Sequence, residues 1–260
     1  MGTIVVILEA ILLSYYFINN NGIPKKKLKI LLMIFLGFIS LISSSFIQQV
    51  LISLNYYPEL LLSGNSSGNF LLELLSFIIC IGLVEEFFKL ACIKLMMNKS
   101  KADIFLSAFV ISITFATLED FSYMWEDIAE IGYLRSILPF HLVCQVIMAY
   151  FLCKSYDYNK NGDKDNANIM LIMSLLIPTI LHGMFDYLFS SVSNNNLFLV
   201  VLILSVLSFV IIFGGIKKIA QLNGVYIENE QKTIRNLIVI GINVIYIAYV
   251  LLFVLYRLVN

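Results

Sequence analysis

The stretch FLLELLSFIICIGLVEEFFKLACIKLMM, residues 70–97, decides the fold of this 260-residue chain. A helix of about 20 apolar residues crosses the roughly 30 Å of bilayer hydrocarbon, and this stretch is long enough to do so. Glu85 and Glu86 nevertheless stand inside it. Each charged group at the centre of a bilayer costs about 2.5–3.5 kcal/mol on insertion scales. We therefore expect a membrane helix whose carboxylates face other helices, a water-filled cavity or a reacting molecule.

The rest of the chain has the same apolar character. Hydrophobic residues make up 60% of it and charged residues 13%, whereas a soluble domain is about one quarter charged. This composition predicts an all-α, polytopic membrane protein with about eight transmembrane helices. The predicted spans are 3–18, 28–53, 70–97, 103–124, 136–153, 169–191, 197–216 and 235–257. We expect a single membrane-embedded domain, 1–260, in which peripheral helices at 1–53 and 197–260 accompany a catalytic core at about 70–191.

The basic residues predict the orientation of the chain in the membrane. Fourteen of the 17 lysines and arginines lie in alternate loops or near the span ends that border them, beginning with the loop that holds Lys25 and Lys26. Because loops rich in Lys and Arg face the cytoplasm, we expect a multi-pass protein of the cell membrane with both termini outside the cytoplasm. The formal net charge is zero, which gives no indication of nucleic-acid binding. The predicted surroundings are therefore the lipid bilayer, and the sequence predicts no oligomeric state.

Six ionisable residues on four predicted spans form the candidate catalytic site: Glu85, Glu86, Glu119, His141, His182 and Asp186. At 1.5 Å of rise per residue, Glu85, Glu119 and the two histidines lie roughly 18–24 Å from the cytoplasmic ends of their helices. His182 and Asp186 are four residues apart and therefore share a helix face. Because helices running in opposite directions bring these groups to one layer, we expect the side chains to meet inside the membrane.

These residue types favour hydrolysis, because a carboxylate in a pocket of low dielectric constant can act as a general base. Glu85 is the expected base, and two neutral imidazoles with a second carboxylate would position the water or stabilise an oxyanion. Glu119, His141 and His182 could equally hold zinc with an open position for water. The chain has neither an HExxH motif nor a CxxC pair. The preferred interpretation requires no cofactor, and zinc stays an alternative.

Two functions of other classes stay open at this point. Glu86 and Lys89 could form a packing ion pair, and His182 an interhelical hydrogen bond, in a binding protein without activity. Carboxylates that relay protons would instead make the chain a proton-coupled transporter. Inverted internal repeats would favour transport, but the polar motifs of the predicted core do not recur elsewhere in the sequence.

Four segments together resemble the motifs of a known family. They are LVEEFFKL (83–90), SAFVISITFATLEDFSYM (107–124), RSILPFHLVCQVIMAYF (135–151) and LHGMFDYLF (181–189). The succession of EExxK, FxxxED, His and HGxxD is similar to that of the PrsW family of intramembrane proteases, within the superfamily of CAAX prenyl endopeptidases and bacteriocin-immunity proteins. The resemblance implies cleavage of a membrane-anchored protein substrate, in some members an anti-sigma factor, as a step in stress signalling. A non-enzymatic binding or immunity protein of the same superfamily is the alternative.

The resemblance also implies roles for individual residues. Glu85 would activate water, and His141 matches the histidine of the third motif. Glu119 occupies the position where the CAAX branch has a histidine. His182 and Asp186 match the motif that polarises the scissile carbonyl, although many relatives have Asn in place of Asp186. The CAAX branch uses a glutamate base without bound metal and the PrsW branch is often labelled metalloprotease, so the resemblance leaves zinc open.

Overall fold

The computed structural model describes residues 27–58, 69–97, 100–125 and 140–191. In these four ranges every regular element is helical and none is a strand, which confirms the all-α prediction. The predicted spans 3–18, 197–216 and 235–257 lie outside the described residues. The prediction of a single domain over 1–260 therefore stays a prediction.

The described helices follow the predicted spans closely. They are α1 (Lys27–Ser53), α2 (Phe70–Phe77), a short π-helix (Ile78–Leu83), α3 (Val84–Met96), α4 (Lys101–Trp125), α5 (Phe140–Lys160) and α6 (Lys164–Ser191). α2, the π-helix and α3 are continuous and together form the predicted span 70–97. Four predicted spans thus agree with the structure to within five residues at each end.

Three of the described helices are long and apolar enough to cross a membrane, at Leu28–Ser53, Asp103–Ser122 and Lys164–Ser190. Two other predicted core spans differ for physical reasons. The π-helix divides residues 70–96 into two shorter α-helices, and the second half of α5 is polar. The chain is therefore a helical membrane protein, while the number eight and the orientation of the termini stay predictions.

The connection between α5 and α6 is shorter than the sequence indicates. The polar residues 154–168 were expected to form a loop, but α5 continues to Lys160 and α6 begins at Lys164. Gly162 adopts a φ of 83°, the left-handed conformation that favours glycine at a helix end. The Asp163 carboxylate accepts a hydrogen bond from the backbone N–H of Asn166, which caps the start of α6. A polar segment outside the bilayer can also be helical, so polar composition alone did not justify the assignment of residues 154–168 to a loop.

An apolar core fills the half of the bundle below the candidate site. It joins α3, α4 and α5, with Met33 from α1, and it includes Ile93, Phe109 and Met148 among the fully enclosed side chains. The opposite face of α1 exposes large apolar side chains such as Phe46. Such exposure is expected of a helix that faces lipid. The polar residues of the site therefore lie at one end of a packed apolar interior.

Two glycines bring the π-helix against α6 at backbone distance. A Cβ atom added to Gly82 would lie 2.4 Å from the carbonyl oxygen of Thr179, and one added to Gly183 would lie 2.4 Å from the Cα of Ile78. Neither glycine can therefore be replaced without moving a backbone. π-helices are frequent at functional sites, and this one directly precedes the two glutamates of α3. The contact places those glutamates beside His182 of α6.

Candidate active site

All six residues of the predicted site meet in one buried cluster between α3, α4, α5 and α6. None of them is more than 8% exposed. The rings of His141 and His182 pack edge to face, with centroids 4.8 Å apart and planes at 84°. Four helices thus deliver the predicted side chains to one place, as the agreement in depth indicated.

Glu86 is the most tightly held carboxylate of the cluster. Its Oε1 atom lies 2.9 Å from the Lys89 ammonium and 2.9 Å from Nδ1 of His182. Its Oε2 atom accepts a hydrogen bond of 2.6 Å from the Gln145 amide. Three donors and a neighbouring positive charge compensate for the loss of water around a fully buried charge. Glu86 is therefore an anchor that joins α3 to α5 and α6.

The environment of His141 fixes the position of its proton. Its Nδ1 atom lies 3.1 Å from Lys89 Nζ, and an ammonium group can only donate, so Nδ1 accepts. The proton of a neutral His141 is therefore on Nε2, which lies 2.6 Å from Oε2 of Glu119. Lys89 also lies 3.9 Å from the centre of the Phe115 ring, a favourable cation–π contact. Both nitrogens of His141 are thus engaged by charged side chains.

His182 presents a different arrangement. A carboxylate can only accept, so Nδ1 carries the proton that it donates to Glu86. The Nε2 atom of the neutral ring then keeps its lone pair. It is buried and has no hydrogen-bond partner among the described residues. Oδ2 of Asp186 lies 3.4 Å from it and Oε2 of Glu85 lies 3.7 Å from it. Three acceptor atoms that face one another require a proton, a water molecule or a cation between them.

Glu85 is held less tightly than Glu86. Its Oε2 atom lies 3.4 Å from Lys89 Nζ, and its Oε1 atom accepts a hydrogen bond of 3.2 Å from the amide of Gln48 on α1. Both contacts are longer than those of the neighbouring carboxylate. Longer hydrogen bonds are weaker, so the geometry distinguishes the two glutamates that the sequence places side by side.

The donor atoms fit a divalent cation. Ligand atoms of Glu85, His141 and His182 lie within 4.8 Å of one another. The ligand set predicted from the sequence contained Glu119 instead of Glu85, but in the structure Oε2 of Glu119 lies against Nε2 of His141, at 2.6 Å. Tetrahedral zinc with bonds of about 2.0–2.1 Å separates its ligands by about 3.4 Å, close to the separations around Nε2 of His182. A metal-bound imidazole usually donates its other N–H to a carboxylate, and Nδ1 of His182 does so to Glu86.

Three residues of the site were missed or underrated from the sequence. Lys89 was expected to neutralise a carboxylate, but its contact with His141 was not anticipated. Gln145 follows His141 by four residues, so its place on the same face of α5 was available as a signal. Gln48 is one of two glutamines in an otherwise apolar helix, and its polarity at that position was the signal.

Buried carboxylates and imidazoles between membrane helices, with an unsatisfied nitrogen at their centre, define a membrane-embedded site of the hydrolytic type. Comparison with known proteins agrees with this class. The model of the PrsW family of intramembrane metalloproteases matches residues 25–216. The chain therefore belongs to the PrsW family and is a peptidase. Membership favours proteolysis over the binding and transport alternatives.

Several curated relatives bear the name Protease PrsW. That of Bacillus subtilis (strain 168) is 27% identical over 191 residues, which are 70% of this chain and 79% of the relative. That of Oceanobacillus iheyensis is 26% identical over 72% of this chain and 82% of the relative. That of Clostridioides difficile (strain 630) is 31% identical over 44% of this chain and 50% of the relative. No solved structure gives a significant match.

Proposed function

We propose that this protein hydrolyses a peptide bond in a membrane-anchored protein substrate, and that Glu85 takes the proton of the attacking water. The observation that carries the proposal is the group of acceptor atoms around Nε2 of His182, with Glu85 and Asp186 at 3.7 and 3.4 Å. A water molecule between these atoms would find acceptors for both of its hydrogens. The carboxylate of Glu85, with its longer contacts, is the group free to remove one of them.

The other residues hold this arrangement in place. Glu86 fixes the His182 ring through Nδ1, so that Nε2 points to the water. When Glu85 passes the proton of the water to Nε2, that nitrogen becomes a donor that stabilises the oxyanion and then gives the same proton to the leaving amine, with Asp186 or His141 beside it. Lys89 links Glu86 to His141 and keeps the two histidines in fixed orientations. Each side chain thus has a role that its own contacts support.

A metal ion, if bound, would be held by Nε2 of His182 and a carboxylate oxygen of Glu85, two of the three residues whose ligand atoms lie within 4.8 Å of one another. It would supply an activated water and polarise the scissile carbonyl. The ring orientation set by Glu86 serves either chemistry, because it directs the same nitrogen to the same place. The roles of Glu86, Lys89 and His141 follow from this chain's own contacts in both cases.

The proposed substrate is a membrane-anchored protein such as an anti-sigma factor, cleaved as the first step of a stress-signalling cascade. The family resemblance supports this class, and so does the depth of the site within membrane helices. We further propose that the site opens to the extracytoplasmic half of the cell membrane, with both termini on that side. The excess of basic residues in alternate loops supports this orientation.

The test is cleavage of a fluorogenic membrane-anchored peptide by the purified full-length protein in proteoliposomes. Glu85→Gln and His182→Ala should each reduce cleavage by about 10²–10⁴-fold, because each removes a group that takes part in proton transfer. Glu73→Gln is the matched control, since Glu73 is a carboxylate on the same continuous helix with similar burial but outside the cluster. Full cleavage by the folded Glu85→Gln variant would contradict the proposal.

A further inference from the structure

Two glutamine amides hold the two adjacent glutamates from opposite sides. Gln145 on α5 donates to Oε2 of Glu86 at 2.6 Å, and Gln48 on α1 donates to Oε1 of Glu85 at 3.2 Å. In each case the other carboxylate oxygen faces His182. Gln145 lies on a helix that carries a family motif. Gln48 lies on α1, outside the motif segments at 83–189.

We propose that Gln48 is a positioning residue that orients the Glu85 carboxylate for the reaction. The proposal rests on the role of Glu85 given under the proposed function. The terminal torsion of a glutamate has a broad energy profile, so the carboxylate turns freely unless one oxygen is held. The Gln48 amide holds Oε1, and this directs Oε2 to the space in front of Nε2 of His182.

Lys89 holds Glu85 more weakly than it holds its two other partners. Its ammonium group lies 2.9 Å from Glu86 and 3.1 Å from His141, but 3.4 Å from Glu85. Gln48 is an uncharged donor. It can therefore orient the carboxylate without placing a positive charge beside the oxygen that accepts the proton. Oε1 of Glu85 is thus held by a neutral donor, while Oε2, with its longer 3.4 Å contact to Lys89, is the oxygen proposed to accept the proton.

The inference gives α1 a part in catalysis. α1 packs on α4, where Gly37 would place a Cβ 2.6 Å from Thr114, and much of its remaining surface faces lipid. The adjacent Gln49 is exposed, while Gln48 is half-buried and reaches the site. Two neighbouring glutamines on one helix therefore differ in this contact, which provides a matched pair for an experiment.

The experiment compares Gln48→Met with Gln49→Met in the full-length protein, using the membrane-anchored peptide in proteoliposomes. Methionine keeps the length of the side chain and removes the donor. Gln48→Met should lower kcat by about 10- to 100-fold, the range expected for loss of a hydrogen bond to a charged group. KM should stay within about twofold because Gln48 acts on Glu85 and not on the substrate. Gln49→Met should behave as the unmodified protein.

A second readout does not depend on turnover. The infrared carboxylate band of Glu85, identified by difference against Glu85→Gln, should shift in Gln48→Met and stay in place in Gln49→Met. An unchanged band, an unchanged kcat, a rise in KM alone, or a fall in activity that only parallels lost thermal stability would each overturn the proposal. Cleavage by Glu85→Gln is a separate outcome, which would reject the function of Glu85 whatever the Gln48 variants do.

Discussion

The two nitrogens of the His182 ring face environments of opposite character. On the Nδ1 side, Glu86 is surrounded by Lys89, Gln145 and the imidazole itself, at 2.6–2.9 Å. On the Nε2 side, Glu85 and Asp186 stand at 3.7 and 3.4 Å without closing a hydrogen bond to the nitrogen. The first side is satisfied and holds helices together, while the second leaves a buried nitrogen without a hydrogen bond among the described residues. Identical residue types in adjacent positions can therefore divide into structural and chemical roles.

The largest loss of stability is expected when Glu86, the carboxylate on the Nδ1 side of His182, is removed. Glu86→Leu leaves Lys89 buried without its closest partner, and removing one member of a buried ion pair costs about 3–5 kcal/mol. Glu85→Gln should lower the free energy of unfolding by only about 1 kcal/mol, because the contacts of Glu85 are longer. Denaturant unfolding in detergent micelles measures both values. Equal losses for the two variants would remove the distinction between the sides.

A smaller loss of stability is expected when Glu86 loses its neutral hydrogen-bond donor, Gln145. Gln145→Leu removes the 2.6 Å hydrogen bond to Glu86 and should cost about 1.5–3 kcal/mol, the range for a hydrogen bond to a charged group. Gln49→Leu, at an exposed position of α1, should stay within about 0.5 kcal/mol. The same unfolding measurement applies. A Gln145→Leu variant as stable as the control would show that Lys89 and His182 alone satisfy Glu86.

The glycine contact between the π-helix and α6 fixes the position of Glu85 and Glu86 relative to His182. A Cβ at Gly183 would lie 2.4 Å from Cα of Ile78, so Gly183→Ala must move one backbone and should cost about 1–3 kcal/mol. Met184→Ala, at the exposed neighbouring position, should cost less. Because His182 precedes Gly183, the movement should also displace His182. The rate of cleavage should therefore fall further than the loss of folded protein explains. A Gly183→Ala variant with normal cleavage would show that this contact does not determine the geometry of the site.

The sequence predicted the participants of the site better than their contacts. Helix spacing and depth brought Glu119, His141 and His182 together, because a rise of 1.5 Å per residue is independent of tertiary structure. Depth does not determine which nitrogen faces which carboxylate, and that distinction separates Glu85 from Glu86. The contact of Gln48 with Glu85 depends on how α1 packs against α3, which no periodicity in either helix specifies.

The π-helix was likewise outside the reach of local patterns. Residues 78–83 are apolar and compatible with an ordinary α-helix, and the sequence prediction treated 70–97 as one span. The structure shows that Gly82 meets Thr179 of α6 at backbone distance. A contact between segments almost 100 residues apart therefore accompanies the change in helix geometry.

The smallest expected effect is that of Glu119→Gln on metal content, and it separates the ligand set suggested by the sequence from the set suggested by the structure. Glu119 lies beside His141 and is not one of the three residues whose ligand atoms lie within 4.8 Å of one another, so Glu119→Gln should leave any bound metal unchanged. His182→Ala removes a buried imidazole nitrogen that has no hydrogen bond among the described residues, and should abolish metal binding. Elemental analysis of the purified variants measures this directly. Loss of metal from Glu119→Gln would restore Glu119 as a ligand, and it would place the reactive centre on the His141 side of the cluster.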